Sequence, residues 1–271
     1  MSVGSILQIG RQSFRHAWRD ATDIRQADEH ARDLEKARAY VQALLPPPVS
    51  EGPIRADWVY EPSAKLGGDA FGYGRVSEHR YAAYLIDVSG HGAGAALHGV
   101  AVMNVLRQRA LPNTDMSEPA EVLAALNAMF QMDSHAGLYF TIWYGVYDIG
   151  LRKMKFASAG HHPGYLTTTD RTGAAALRTR NSVIGAMPGV SYRAEMVDVP
   201  PGARLYLFSD GAFEIVTAHG AQWALTDFLP LLNQPPLEGT TESRRLFEQV
   251  RSISRPGGLD DDFSALVVTF D

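Results

Sequence analysis

The sequence predicts an α+β domain, built of antiparallel sheet with helices packed on its outside and preceded by a helical segment. Three observations carry this. Strand-like and helix-like stretches come in blocks and not in strict βαβ alternation, which disfavours a parallel sheet. Residues 1–45 place apolar side chains at three- and four-residue steps, a helical period. That segment carries a net charge of +1, whereas the rest of the chain carries −6.

The helical stripe runs through Phe14, Trp18, Ala21, Ile24, Ala27, Ala31, Leu34, Ala37, Val41 and Leu44, and no Pro or Gly interrupts residues 11–45. A helix of that length would extend roughly 50 Å. Its narrow, Ala-rich stripe suits either packing on its own domain or self-association as a signalling coiled coil. Pro46, Pro47 and Pro48 end it, because proline cannot continue a helix. The expected organisation is therefore a helical segment with a proline linker over 1–50 and one domain over 51–271.

Strand signals begin at Ile54–Glu61. Phe71–Val76 and Tyr81–Val88 flank Ser77-Glu78-His79-Arg80, the pattern of a hairpin. Ala93 to about Leu111 reads as a helix. A second helix runs to about Met132, with Ser117 as its N-cap and Pro119 tolerated in its first turn. Strands are expected at Tyr139–Ile149, Lys153–Ala159, Gly164–Thr168, Ala174–Thr179, Arg193–Val199 and Arg204–Phe208. Two helices follow near Leu225–Leu232 and Thr241–Ile253, and the strand Phe263–Phe270 closes the chain.

Composition removes several classes. With 45% hydrophobic and 20% charged residues, the 271-residue chain can fill a core and is not a disordered or collagen-like sequence. It contains no cysteine, which excludes disulfides, thiolate metal ligands and a thiol nucleophile. A net charge of −5 offers no electrostatic case for nucleic acid. The longest apolar runs, such as Tyr81 to Ile86, fall far short of the ~18 residues of a membrane span. No basic, apolar leader opens the sequence, so the expected location is the cytoplasm, with no membrane association.

Four carboxylates stand at the ends of expected strands beside glycine or another acid. Asp69 ends Gly67-Gly68-Asp69. Asp87 opens Asp87-Val88-Ser89-Gly90-His91-Gly92. Asp210 lies in Ser209-Asp210-Gly211, and Asp261 in Asp260-Asp261-Asp262. A strand end positions a carboxylate on rigid backbone, and adjacent glycine lets an ion or ligand approach the main chain. Acids gathered at one sheet edge repel one another unless a cation neutralises them. An all-oxygen donor set suits a hard ion, Mg²⁺ or Mn²⁺. Taken one at a time, each Asp-Gly pair also fits an ordinary turn.

These motifs occur in order together with Ala93-Gly94-Ala95-Ala96-Leu97, Ala159-Gly160-His161-His162-Pro163, Ala212-Phe213-Glu214 and Asp261-Asp262-Phe263-Ser264. Over about residues 54–271 the chain closely resembles the SpoIIE/RsbU-type serine phosphatases, the bacterial branch of the metal-dependent protein phosphatases. Leu34-Glu35-Lys36-Ala37-Arg38 to Leu44-Leu45-Pro46 looks like the helix that links such domains to sensor modules.

The resemblance implies a four-layer α-β-β-α sandwich with two Mn²⁺ or Mg²⁺ ions at one end. Asp87 would bridge both ions and the Val88 carbonyl would bind one. Asp210 and Asp261 would hold the second, and Asp69 would contact the first. The implied activity is hydrolysis of phosphoserine or phosphothreonine by a metal-activated water. The implied substrate is a small phosphorylated STAS-domain protein, an anti-anti-sigma factor in a partner-switching pathway. An upstream activator or a second copy would dock on the N-terminal helix.

His91, Lys65 and Asp262 are candidates for supporting or substrate-binding roles. His91 sits in the glycine loop beside Asp87, and Lys65 precedes Asp69 by four residues. His161 and His162 are expected to serve the strand end and not as ligands. Gly72 departs from the family pattern, which carries a further acid there. The competing reading is a non-catalytic scaffold, or pseudophosphatase, that binds a phosphoprotein. Two others fail on residues. Gly67-Gly68-Asp69-Ala70-Phe71 lacks the acid that a diguanylate cyclase motif needs at Ala70. The Gly90–Gly94 loop lacks a phosphate-binding lysine.

Overall fold

The computed structural model describes residues 6–9, 12–15, 21–62, 66–257, 259 and 261–271. The chain divides into two compact units, Met1–Tyr40 and Val41–Asp271.

In the first unit, strands β1 (Ile6–Ile9) and β2 (Gln12–Arg15) pair antiparallel, with Leu7 opposite Phe14. Helix α1 runs over Ala21–Leu44, so its last four residues belong to the second unit. The helix expected from residue 11 is thus shorter, and Phe14 lies in a strand. Ile6, Ile9 and Phe14 are β-favouring residues that suit a short strand pair.

The proline segment is held against the second unit. Val41 and Leu45 are buried. Trp58 Nε1 donates to the Pro46 carbonyl at 2.8 Å, and the Tyr73 hydroxyl donates to Pro47 at 2.7 Å.

The second unit contains ten strands and four helices among its described residues. In chain order they are β3 (Ile54–Glu61), β4 (Ala70–Arg75), β5 (Arg80–Val88), α2 (Ala93–Arg107), α3 (Pro119–Met129), β6 (Phe140–Asp148), β7 (Lys153–Ala159), β8 (Gly164–Thr167), β9 (Ala174–Leu177), β10 (Glu195–Asp198), β11 (Ala203–Phe208), α4 (Leu225–Leu232), α5 (Glu242–Ile253) and β12 (Phe263–Phe270). One sheet has the order β10-β7-β6-β5-β4 and the other β3-β12-β11-β8-β9, with every pairing antiparallel.

Aromatic side chains define the layers. Phe71 of the first sheet meets Trp58 and Tyr60 of the second at 5.4 and 6.5 Å between ring centroids. Tyr147 meets Phe270 at 4.5 Å. These residues form the core between the sheets. On the outer face of the first sheet, Tyr84 stacks on Tyr144 at 6.0 Å, under α2 and α3. On the outer face of the second, Tyr206, Phe208, Phe263 and Val267 pack with Phe228, Leu232, Leu246 and Val250 of α4 and α5. The result is the α-β-β-α sandwich that the resemblance implies.

Two helix ends differ from expectation. Arg109 takes a positive φ of 54° and closes α2 before Leu111. Glu118, not Ser117, is the N-cap of α3, and the Ser117 N–H donates to the Asp115 carboxylate at 2.8 Å. Among the described residues no helix is long and apolar enough to cross a membrane.

Candidate metal centre

Asp87 is the penultimate residue of β5 and lies opposite Thr141 of β6. Along β5 it shares a face with Leu85, and across the ladder that face carries Trp143, whose indole reaches the Leu177 carbonyl of the second sheet at 2.9 Å. Asp87 therefore looks into the space between the sheets at one end of the sandwich. Asp210 follows β11 in a short 3₁₀ turn, and Asp261 and Asp262 precede β12, whose Ala265 pairs with Phe208. Asp69 immediately precedes β4, whose Ala70 pairs with Ile86. Antiparallel pairing brings the end of one strand beside the start of the next, so these four sequence-distant segments share one edge.

Close backbone packing joins them. A Cβ on Gly67 would overlap the Asp262 carboxylate. One on Gly68 would lie 2.7 Å from the Val88 carbonyl oxygen, and one on Gly211 would lie 2.2 Å from the Asp262 carbonyl. Only glycine permits these approaches. The Gly92 N–H donates to the Leu66 carbonyl at 2.7 Å, and the Ser89 N–H to Tyr139 at 2.9 Å. Ser209 Oγ bridges to the β12 entry, donating to the Asp262 carbonyl at 2.9 Å and accepting from the Ser264 N–H at 3.0 Å.

The electrostatics are those of an uncompensated acid cluster. Burial pushes the Asp87 carboxyl up to about 7, with Asp210, Asp261 and Asp262 adding repulsion. Burial raises Asp210 to about 6, reinforced by Asp261 and Glu214. Asp69 is raised well above the carboxylate range, first by burial, then by Asp87 and Asp262. Its Oδ2 is shielded from solvent and has no hydrogen-bond partner. A buried, unpaired carboxylate oxygen is costly, and a hard divalent cation would supply the missing partner. The donor set therefore fits such an ion. Among the described residues no three acidic or histidine side chains already stand in ligating geometry.

The remaining candidates separate. Asp261 is exposed, and its Oδ1 accepts the Asp262 N–H at 2.8 Å. Asp262 is buried against Gly67. His91 is exposed in the glycine loop. Lys65 lies outside the described residues. His161 and His162 are not brought into the cluster. Their Nδ1 atoms lie 2.8 and 3.0 Å from the carbonyls of His162 and Pro163. Burial holds His162 down at about 4 and His161 well below the usual range, so both are neutral. A Cβ on Gly72 would lie 2.3 Å from the Tyr84 hydroxyl, so an acid here would have to displace that ring. Thr141, Ser209 and Glu214 also border the site. Ser209 and Glu214 flank Asp210 in sequence, whereas Thr141 is reached only through the β5–β6 register.

Residues 77–271 match the family model "Stage II sporulation protein E (SpoIIE)". The chain belongs to the SpoIIE family. It is 30% identical over 187 residues to the phosphoserine phosphatase RsbP of Bacillus subtilis (strain 168), covering 68% of this chain and 45% of RsbP. To RsbU of the same organism, also named a phosphoserine phosphatase, it is 27% identical over 191 residues, covering 69% and 55%. The chain thus spans about half the length of these curated relatives. The SiaA-PP2C domain of Pseudomonas aeruginosa superposes with a TM-score of 0.72 at 20% identity, covering 93% of this chain and 99% of that one. The PP2C phosphatase domain of SpoIIE from Bacillus subtilis, with a fragment of its regulatory domain, gives 0.67 at 19%, covering 82% and 64%. These two structures establish the PP2C-type fold of the SpoIIE family member described here.

Proposed function

We propose that this protein is a metal-dependent serine/threonine protein phosphatase. The observation that carries the reading is the convergence of Asp69, Asp87 and Asp210, each with its carboxyl pushed up by burial and by repulsion from neighbouring acids, at one end of a SpoIIE-family sandwich. Asp87, Asp69 and the Val88 carbonyl would hold one Mn²⁺ or Mg²⁺, and Asp87, Asp210 and Asp261 a second. Bound there, the two ions supply charge neutralisation for a phosphate dianion and acidify a water for in-line attack.

The chain's own residues set the geometry. Thr141 opposite Asp87 and Ser209 between Asp210 and the β12 entry hold their segments in place. Gly68 leaves the Val88 carbonyl uncovered by a side chain. Exposed His91, in the glycine loop beside Asp87, is the residue we assign to passing a proton to the departing serine oxygen. Asp262, buried on Gly67, positions the loop that carries Asp261.

The names of RsbP and RsbU support phosphoserine as the group hydrolysed. The substrate we propose is a phosphorylated STAS-domain protein, and the setting a cytoplasmic partner-switching pathway that controls a sigma factor. The first unit is assigned the docking of an activator or a second copy. Release of phosphate from a phosphoserine peptide and from phosphorylated STAS proteins, with Mn²⁺, Mg²⁺ or EDTA, tests the activity. Turnover that needs metal and is lost in Asp87→Asn is expected. No turnover with either ion would favour the scaffold reading.

A further inference from the structure

A cavity of about 350 Å³ opens at the opposite end of the second sheet, on its outer face. Arg204 at the start of β11, Thr269 near the end of β12 and Arg55 near the start of β3 line it, together with Ser50, Thr240 and Thr241. Arg204 precedes Asp210 by six residues of mostly extended chain, which places it ~20 Å from the acid cluster.

The charges around this cavity do not cancel. Arg55 is held by Asp271 through two bonds of 2.8 Å. Arg171 and Arg245 share Glu242, with Arg171 bonding it at 3.0 and 3.2 Å. Asp57 accepts the Ser243 N–H at 2.8 Å and so occupies the first turn of α5. Four guanidiniums therefore face three carboxylates, each already engaged. The excess cation is Arg204, which is near enough to Asp271 to help lower that carboxyl but makes no hydrogen bond to it; its Nη1 is shielded from solvent and has no hydrogen-bond partner. Its cross-strand neighbours are Thr167 and Thr269, and Thr167 Oγ1 is likewise buried without a partner. The Arg204 guanidinium lines the cavity without a hydrogen-bonded carboxylate, beside the hydroxyls of Ser50, Thr240 and Thr241, and this combination matches a tetrahedral oxyanion.

We propose that this cavity is a second anion site, which takes inorganic phosphate or a small phosphate monoester on Arg204. It is independent of the acid cluster and of the phosphatase reading. It lies against residues 48–50, which join the proline segment to β3, so a bound anion would tie that segment to the sheet.

The test is calorimetric titration of the full chain in EDTA, where no metal can recruit phosphate to the acids. Phosphate, O-phosphoserine, sulfate and chloride are compared at constant ionic strength. Saturable binding of phosphate or O-phosphoserine is expected, weakened roughly tenfold or more in Arg204→Met and less in Arg204→Lys. Which of the two binds tighter identifies the source. Equal affinity in wild type and Arg204→Met would overturn the proposal, as would a response that chloride reproduces. If Arg204→Met does not fold, Arg204→Lys and the chloride comparison decide: unchanged affinity in Arg204→Lys with a chloride-like response refutes the site.

Discussion

Replacing Asp87 by Asn should stabilise the metal-free protein at alkaline pH while abolishing its response to metal. The Asp87 carboxyl titrates near 7 in the fold, against an ordinary value of 3.8. A raised folded pKa means that the folded state holds its proton more tightly than the unfolded one. The stabilisation from the protonated form is complete below pH 3.8 and is lost as pH rises to about 7. At about 1.4 kcal/mol per pH unit, ionising Asp87 in the fold costs about 2–4 kcal/mol by pH 8, after solvent at the open edge screens part of it. Asn cannot ionise and avoids that cost. Urea unfolding in EDTA, followed by tryptophan fluorescence, should place the Asp87→Asn midpoint roughly 1 M above wild type at pH 8. At pH 4 the two should nearly coincide. With millimolar Mn²⁺ the order should reverse, because only wild type gains binding free energy. An Asp87→Asn variant no more stable than wild type at pH 8 in EDTA would refute the account of the cluster as mutually repelling buried acids.

Four further outcomes are expected. Gly68→Ala should cut metal-dependent turnover at least tenfold with a modest loss of stability, because its Cβ would lie 2.7 Å from the Val88 carbonyl; wild-type kinetics would rule out that close approach. Glu242→Ala should destabilise the fold by about 3–5 kcal/mol, since it strips the buried Arg171 and Arg245 of their shared carboxylate; a thermal melt within a few degrees of wild type would contradict this. A chain starting at residue 41 should remain folded, whereas one starting at 50 should lose about 3–5 kcal/mol with the buried Val41 and Leu45. Light scattering of the full chain against the version starting at 41 tests the first unit as a self-association element. Equal monomeric masses, with equal response to an activator, would remove that role.

Much of the second unit was legible because its periods are clean. Residues 153–159 alternate and 263–270 form a short, continuous, largely apolar run, and these elements, like 225–232 despite Pro230, have the expected bounds. In the first unit the helix over 21–44 was legible, but the strand at 12–15 was not, since so few residues cannot separate a helical from a strand period. The proline run correctly marked a helix end. Its packing on Trp58 and Tyr73 depends on partners 12 and 26 residues away.

For the site, the residue types alone reached only an acidic site suited to a hard cation, from carboxylates at strand ends beside glycines; the ordered motifs, through their resemblance to a family, supplied the phosphatase reading. Their neighbours were decided by tertiary structure. The β5–β6 register places Thr141 opposite Asp87, and the approach of Asp262 to Gly67 explains why that position is glycine. The shifted carboxyls depend on burial and on repulsion between segments up to 193 residues apart, Asp69 to Asp262. The unbalanced Arg204 has no sequence signature. A charge counts as unpaired only once every neighbouring carboxylate is seen to be taken, and those neighbours come from three strands, a loop and a helix. Sequence sets which groups are present and their local conformational preferences. Long-range pairing sets which of those groups are desolvated together, and desolvation is what turns scattered aspartates and an arginine into sites.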